Sequence, residues 1–175
     1  DLFVRLANDG RRKEVIDALR LLMSQCVGDT EDKGEGELCV RFLQRAIRLC
    51  DVLGAIECRE QLELLLLKKQ SSPRPECFAE LQELAARALS GFPKDGEHKE
   101  DDIDFWSRVA RKGNRALPYA LNALFDLDVE EGARVACSLY LRLAEEQREG
   151  VNWRTIFQMA VRSHGEAAFA GALRS

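Results

Sequence analysis

The chain has 175 residues, 46% of them hydrophobic and 32% charged, with a net charge of −4. That length accommodates one domain with a real core or two small lobes, and such a mixture is what amphipathic helices produce, each with a buried stripe and a charged face. The acidic balance argues against a domain built mainly to hold nucleic acid and leaves room only for a local basic patch.

No apolar run approaches the roughly 18–20 residues needed to span a bilayer. The opening DLFVRLANDG lacks the charged-then-apolar order of a signal peptide. No membrane partner is therefore expected. The six cysteines are Cys26, Cys39, Cys50, Cys58, Cys77 and Cys137, none in a CxxC pair, and five lie in or beside apolar helical stripes. With only His98 and His164 to assist, neither a zinc site nor a disulfide framework is expected. The spacing fits free thiols acting as small hydrophobes in a reducing, intracellular compartment, cytoplasm or nucleus.

In chain order, residues 1–26 read as helix with a break at Asn8-Asp9-Gly10, after which Val15, Ile16, Leu19, Leu22 and Met23 recur at helical spacing. GDTEDKGEGE (28–37) reads as an exposed acidic loop. A second helix is expected over 37–53, with Leu38, Phe42, Leu43, Ile47 and Leu49 or Cys50 as its core face and Gly54 as its stop. A third covers 55–70. Its four consecutive leucines, Leu64 to Leu67, mark it as the most buried, and SSPRP (71–75) ends it. A fourth spans 76–92, with Phe78, Leu81, Leu84, Ala85 and Leu89 on one side, before the charged stretch 93–102.

DDIDFWSRVARKGNR (101–115) carries Asp101, Asp102 and Asp104 at its front and Arg108, Arg111 and Lys112 at its back, with Gly113 placed as a left-handed cap. Each end complements the helix macrodipole, by roughly 0.3–1 kcal/mol. Ile103, Phe105, Trp106, Val109 and Ala110 supply a buried face. Further helices are expected from near Pro118, over 129–149, and through the closing VNWRTIFQMAVRSHG and EAAFAGALRS. No stretch alternates at period two, so the expected fold is all-α. Eight or nine helices would pack as antiparallel hairpins, as an α-solenoid of HEAT, armadillo or TPR style or as an irregular bundle. They would form a single domain over 1–175, or two lobes, 1–92 and 101–175, joined by the acidic loop 93–100.

Motifs for nucleophilic, phosphate-binding or metal chemistry are absent from the sequence: there is no G-x-S-x-G, GxxxxGK[ST], GxGxxG or HExxH. Glu130-Glu131 and Glu145-Glu146 sit on charged helical faces rather than in apolar surroundings that would raise a carboxyl pKa. No catalytic residue, cofactor, metal or small-molecule substrate is expected. What stands out is cationic. Arg41, Arg45 and Arg48 form one row, and Arg108, Arg111, Lys112 and Arg115 follow i, i+3, i+4, i+7 and so are expected to share a face. Such rows fit an acidic peptide, a phosphate or a nucleic-acid backbone, and they equally fit solvated faces paired with nearby acids. Trp106 and Trp153 are anchors for a partner if exposed and core residues otherwise.

LANDGRRKEVIDALRLLM (6–23) resembles the helix–turn–helix junction of tetratricopeptide and pentatricopeptide repeats, where a turn Gly precedes a charged first turn and an A-L-x-L-L stripe. EGVNWRTIFQMAVRSHGEAAFAGAL (149–173) is similar in layout, with Gly165 in the turn. The resemblance implies stacked helical hairpins and carries over no binding residues. GVNWRTIF (150–157) resembles the central motif of Bcl-2-like apoptosis regulators, with Asn152 as cap and Trp153 entering the core, although too little chain follows for that family's apolar hairpin. The expected function is that of a non-catalytic scaffold or adaptor domain of a larger intracellular protein, taking a partner peptide or helix on a helical surface. The alternatives are an RNA-binding helical-repeat module and a Bcl-2-like regulator.

Overall fold

The apolar spacing of the sequence folds as helix throughout a computed structural model, which describes residues 2–28, 36–68, 75–93, 99–142 and 153–154. The elements are α1 (Leu2–Leu6), a kinked turn (Ala7–Arg11), α2 (Arg12–Gly28), α3 (Gly36–Leu53), a 3-10 turn (Ile56–Cys58), α4 (Arg59–Leu67), α5 (Pro75–Ser90), α6 (Lys99–Arg111), α7 (Leu117–Leu127) and α8 (Val129–Arg142). No strand occurs among the described residues, and no helix among them is long and apolar enough to cross a membrane. The chain divides into two compact units, Asp1–Pro93 and Lys94–Ser175.

In the first unit, α2 packs on α3 and α4, and α5 packs on the same two helices. Ile16, Leu19 and Met23 of α2 meet a core made with Leu43, Ile47 and Cys50 of α3, Leu62, Leu65 and Leu66 of α4, and Leu81, Ala85 and Leu89 of α5. Each large side chain removed from water contributes about 1.5–3 kcal/mol. Two sequence expectations change. Phe42 is half exposed, because the buried stripe of α3 is centred on Leu43, Ala46, Ile47 and Cys50 and leaves Phe42 at its flank. Leu64 is 54% exposed. Four consecutive residues sweep roughly 300° around a helix, and α4 is packed by α2 and α5 rather than on every side, so Leu64 points away from both. The side chain of Leu38 and the run 69–74 lie outside the described residues, and Pro75 begins α5, where its missing N–H costs nothing.

Helix ends in this unit are closed by neighbours. After α3, Gly54 adopts φ +57°; the Ala55 N–H donates to the Cys50 carbonyl at 2.9 Å and the Gly54 N–H to that of Asp51 at 3.2 Å. This 6→1, 5→2 pattern satisfies two of the terminal carbonyls. Arg12, at the start of α2, then donates from Nη1 to the Leu53 carbonyl at 2.7 Å and from Nη2 to that of Gly54 at 3.3 Å. A cation here also opposes the negative end of the α3 dipole. At the end of α4, the buried amide of Gln82 from α5 donates through Nε2 to the carbonyls of Leu65 and Leu66, each at 3.2 Å, and reaches that of Lys68 at 3.4 Å.

In the second unit, α6, α7 and α8 pack against one another. Small side chains dominate the contacts: Ala110, Ala120, Ala123 and Ala136 are fully buried. Gly132 of α8 crosses so close to α7 that a Cβ there would lie 2.9 Å from the Phe125 backbone nitrogen. Phe105 and Trp106 are both buried and meet edge to face at 5.1 Å. Trp153 is buried against Tyr140 at 5.5 Å; the rest of the helices expected beyond residue 142 lies outside the described residues. Asp101 and Asp102 lie in the first turn of α6. Gly113 takes φ +61° after its last turn, as its position predicts.

Asp128 is the only residue between α7 and α8. Its N–H donates to the Leu124 carbonyl and its own carbonyl accepts from Gly132, both at 2.8 Å. Its Oδ1 accepts the Glu131 N–H at 3.1 Å, capping α8, and its Oδ2 pairs with Nζ of Lys99 at 3.1 Å. The Glu131 N–H, and secondarily the Lys99 ammonium, hold this carboxyl below its ordinary value against the opposing effect of burial.

Two measurements check these assignments. Gln82→Leu removes the donor shared by the α4 carbonyls while keeping volume, and should lower stability by about 2 kcal/mol in urea unfolding. For Asp128 the folded pKa lies below the unfolded one, so its contribution is complete above the unfolded value of about 3.9 and is lost as pH falls through the folded value. Asp128→Ala should therefore cost about 1 kcal/mol at pH 7, and the deficit should shrink when the same titration is repeated below about pH 4.

Candidate functional site

The outer face of α3 carries a groove. Positions 41, 45, 48 and 52 fall within roughly 60° of arc at ~100° per residue, on the side of the helix opposite Leu43, Ile47 and Cys50. The kink at Asp9 and Gly10, where Gly10 takes φ +88°, lets α1 run back so that it contacts both α2 and α3. The result is an open groove of about 430 Å³ lined by Val4 from α1 and by Arg41, Gln44, Arg45, Arg48, Leu49 and Val52 from α3. All three arginines are exposed, and Val52 is 69% exposed. Among the described residues the lining includes no carboxylate and no aromatic ring. Positive charge is thus set beside aliphatic surface.

The second cationic row does not assemble as the spacing suggested. Arg108 and Arg111 lie on α6, where Arg108 pairs with Asp104 at 3.0 Å. Lys112 follows the last turn, and Arg115 comes after the left-handed Gly113, in the turn where Asn114 Oδ1 accepts the Ala116 N–H at 3.0 Å. The i+7 relation therefore fails, because the helix on which it was counted stops four residues before Arg115. Trp106 is only 4% exposed and packs on Phe105, so it is a core residue and not a surface anchor.

Sequence reasoning missed two features. The Val4 wall of the groove comes from a helix more than thirty residues upstream of the row it flanks; Gly10 was its only sequence signal. The other is a sulfur cluster in the core of the first unit. Cys50 Sγ lies 3.8 Å from Met23 Sδ, the Cys58 thiol is its other sulfur neighbour, and all three side chains are fully buried. Contact with the Cys58 thiol, then burial, pushes the Cys50 thiol far above its ordinary value. Interaction with the neighbouring Cys50 thiol draws Cys58 downward, and burial opposes it. A thiol without solvent contact is poorly placed as a nucleophile, and the cluster acts as apolar packing.

Cys50, Cys58, Cys77 and Cys137 are free thiols; Cys26, Cys39, His98 and His164 lie outside the described side chains. Among the described residues no three His, Cys, Asp or Glu side chains are grouped to hold a metal ion.

Comparison with known proteins adds no family. No protein-family model, no curated protein and no solved structure matches the chain. The resemblances of residues 6–23, 149–173 and 150–157 therefore rest on those residues alone.

Because the three groove arginines are exposed, the triple variant Arg41→Glu, Arg45→Glu, Arg48→Glu should change the urea midpoint by no more than about 0.5 kcal/mol equivalent per site, with an unchanged helical circular dichroism spectrum.

Proposed function

We propose that this chain is a non-catalytic protein-interaction domain, a scaffold or adaptor element of a larger intracellular protein, which docks a partner polypeptide on the outer face of α3. The supporting observation is the convergence of Arg41, Arg45 and Arg48 with Val4, Leu49 and Val52 on one groove. Solvated charge alone would not require an aliphatic wall from a second helix. Interfaces that bind tightly combine such apolar contact with arginine at the rim.

The architecture supports the same reading. α2 with α3 and α4 with α5 form two helical pairs, laid so that α2 meets α4 and α3 meets α5. Such pairing suits a reading as stacked hairpins of solenoid style, in which one layer of helices would meet a partner. The free thiols fit a reducing compartment such as cytoplasm or nucleus.

A photo-crosslinking amino acid at Gln44, inside the groove, tests this directly in the full-length protein within its own cells. A covalent adduct to a polypeptide that disappears in the Arg41→Glu, Arg45→Glu, Arg48→Glu background is the expected result. An adduct that persists in that background, or adducts to RNA alone, rejects the reading.

A further inference from the structure

Which chemistry fills the groove follows from the order of its lining along α3: Arg41, Arg45, Arg48, then Val52. At ~1.5 Å rise per residue the arginines span about 10 Å of helix axis, and Val52 lies one turn beyond. A phosphodiester backbone satisfies the cations and leaves the rest unused. Single-stranded RNA sites add aromatic faces on which bases stack, and the groove lining includes none among the described residues. A carboxylate-bearing polypeptide uses both kinds of lining: guanidinium–carboxylate pairs with the arginines and aliphatic contact with the exposed Val52 one turn beyond them.

Resting on the docking proposal made for this face, we infer that the groove receives an acidic amphipathic helix. A helix laid along α3 repeats its own side chains with the same period. Acids at i, i+4 and i+7 therefore face Arg41, Arg45 and Arg48, and an aliphatic residue at i+11 faces Val52. A helix running the other way carries the mirror order, aliphatic residue first. The acidic total of the chain, −4, makes this local cationic stripe the place where an acidic ligand gains attraction rather than repulsion.

The test is a fluorescence-anisotropy titration of the whole chain with labelled 20-residue helical peptides. One pair carries three Glu and one Leu in the matched order, one peptide for each chain direction. Shuffled peptides place the same residues around all sides of the helix, Leu→Ala peptides lack the aliphatic group, and poly(U) RNA serves as the phosphodiester probe.

Expected are a matched peptide binding at least about tenfold tighter than its shuffled form and a loss of at least about tenfold in the triple Arg→Glu variant. Val52→Asp should weaken the Leu peptide several-fold and the Leu→Ala peptide far less. Equal binding of matched and shuffled peptides overturns the inference, as does RNA binding tighter than either peptide with no response to Val52→Asp. If no peptide binds while the Gln44 crosslink still captures a polypeptide in an arginine-dependent way, the acidic-helix inference falls and the docking proposal stands. Loss of both results sinks both.

Discussion

Helices leave unpaired carbonyls at one end and unpaired N–H groups at the other, and a fold made only of short helices must dispose of many such ends. In this chain much of the solution comes from side chains that lie outside the helix they close. Arg12 closes α3 from the start of α2, Gln82 closes α4 from the middle of α5, and Asp128 caps α8 while gripping Lys99 of α6. Each of these contacts does two things at once. It satisfies backbone groups whose desolvation costs about 1–3 kcal/mol apiece, and it fixes the register of one helix on another. Aliphatic burial drives collapse without direction; these polar closures make one arrangement of helices cheaper than its neighbours. The groove depends on them, since the start of α2, from which α1 is carried back over α3, is tied by Arg12 to the end of that same helix.

Much of this was readable in the residues. The breaks at Gly10, Gly54 and Gly113 were visible because a glycine after an apolar periodic run has few other roles, and all three adopt positive φ. Most of the buried faces of α2, α5 and α6 followed from period, although Leu22, Leu84 and Ile103, expected on them, are only partly buried. Failures came where a residue's fate depends on what stands beside its helix. Leu64 and Phe42 belong to apolar runs that period cannot orient, and only the positions of α2, α4 and α5 decide which members turn outward. Arg115 was counted on a helix that ends at Arg111, although Gly113 already marked the stop.

The site shows the same division. The row Arg41, Arg45, Arg48 was legible because it lies within one helix. Val4 was not, because it reaches the groove through a turn of the chain, and neither was the meeting of Met23, Cys50 and Cys58, which come from three separate elements. Trp106 was left open between anchor and core, because aromatic residues dominate both cores and interfaces; its burial decides for the core.

The junction at Asp128 bears on how such a chain can change over time. Most links between helices tolerate added residues, since lengthening a surface loop costs little entropy. Here one residue ends α7, starts α8 and holds α6, and a few positions later Gly132 passes the Phe125 backbone with no room for a methyl group. An insertion would carry the carboxylate off its amide and rotate a side chain into the contact. Among homologues, length variation should therefore gather in other connections and spare this corner.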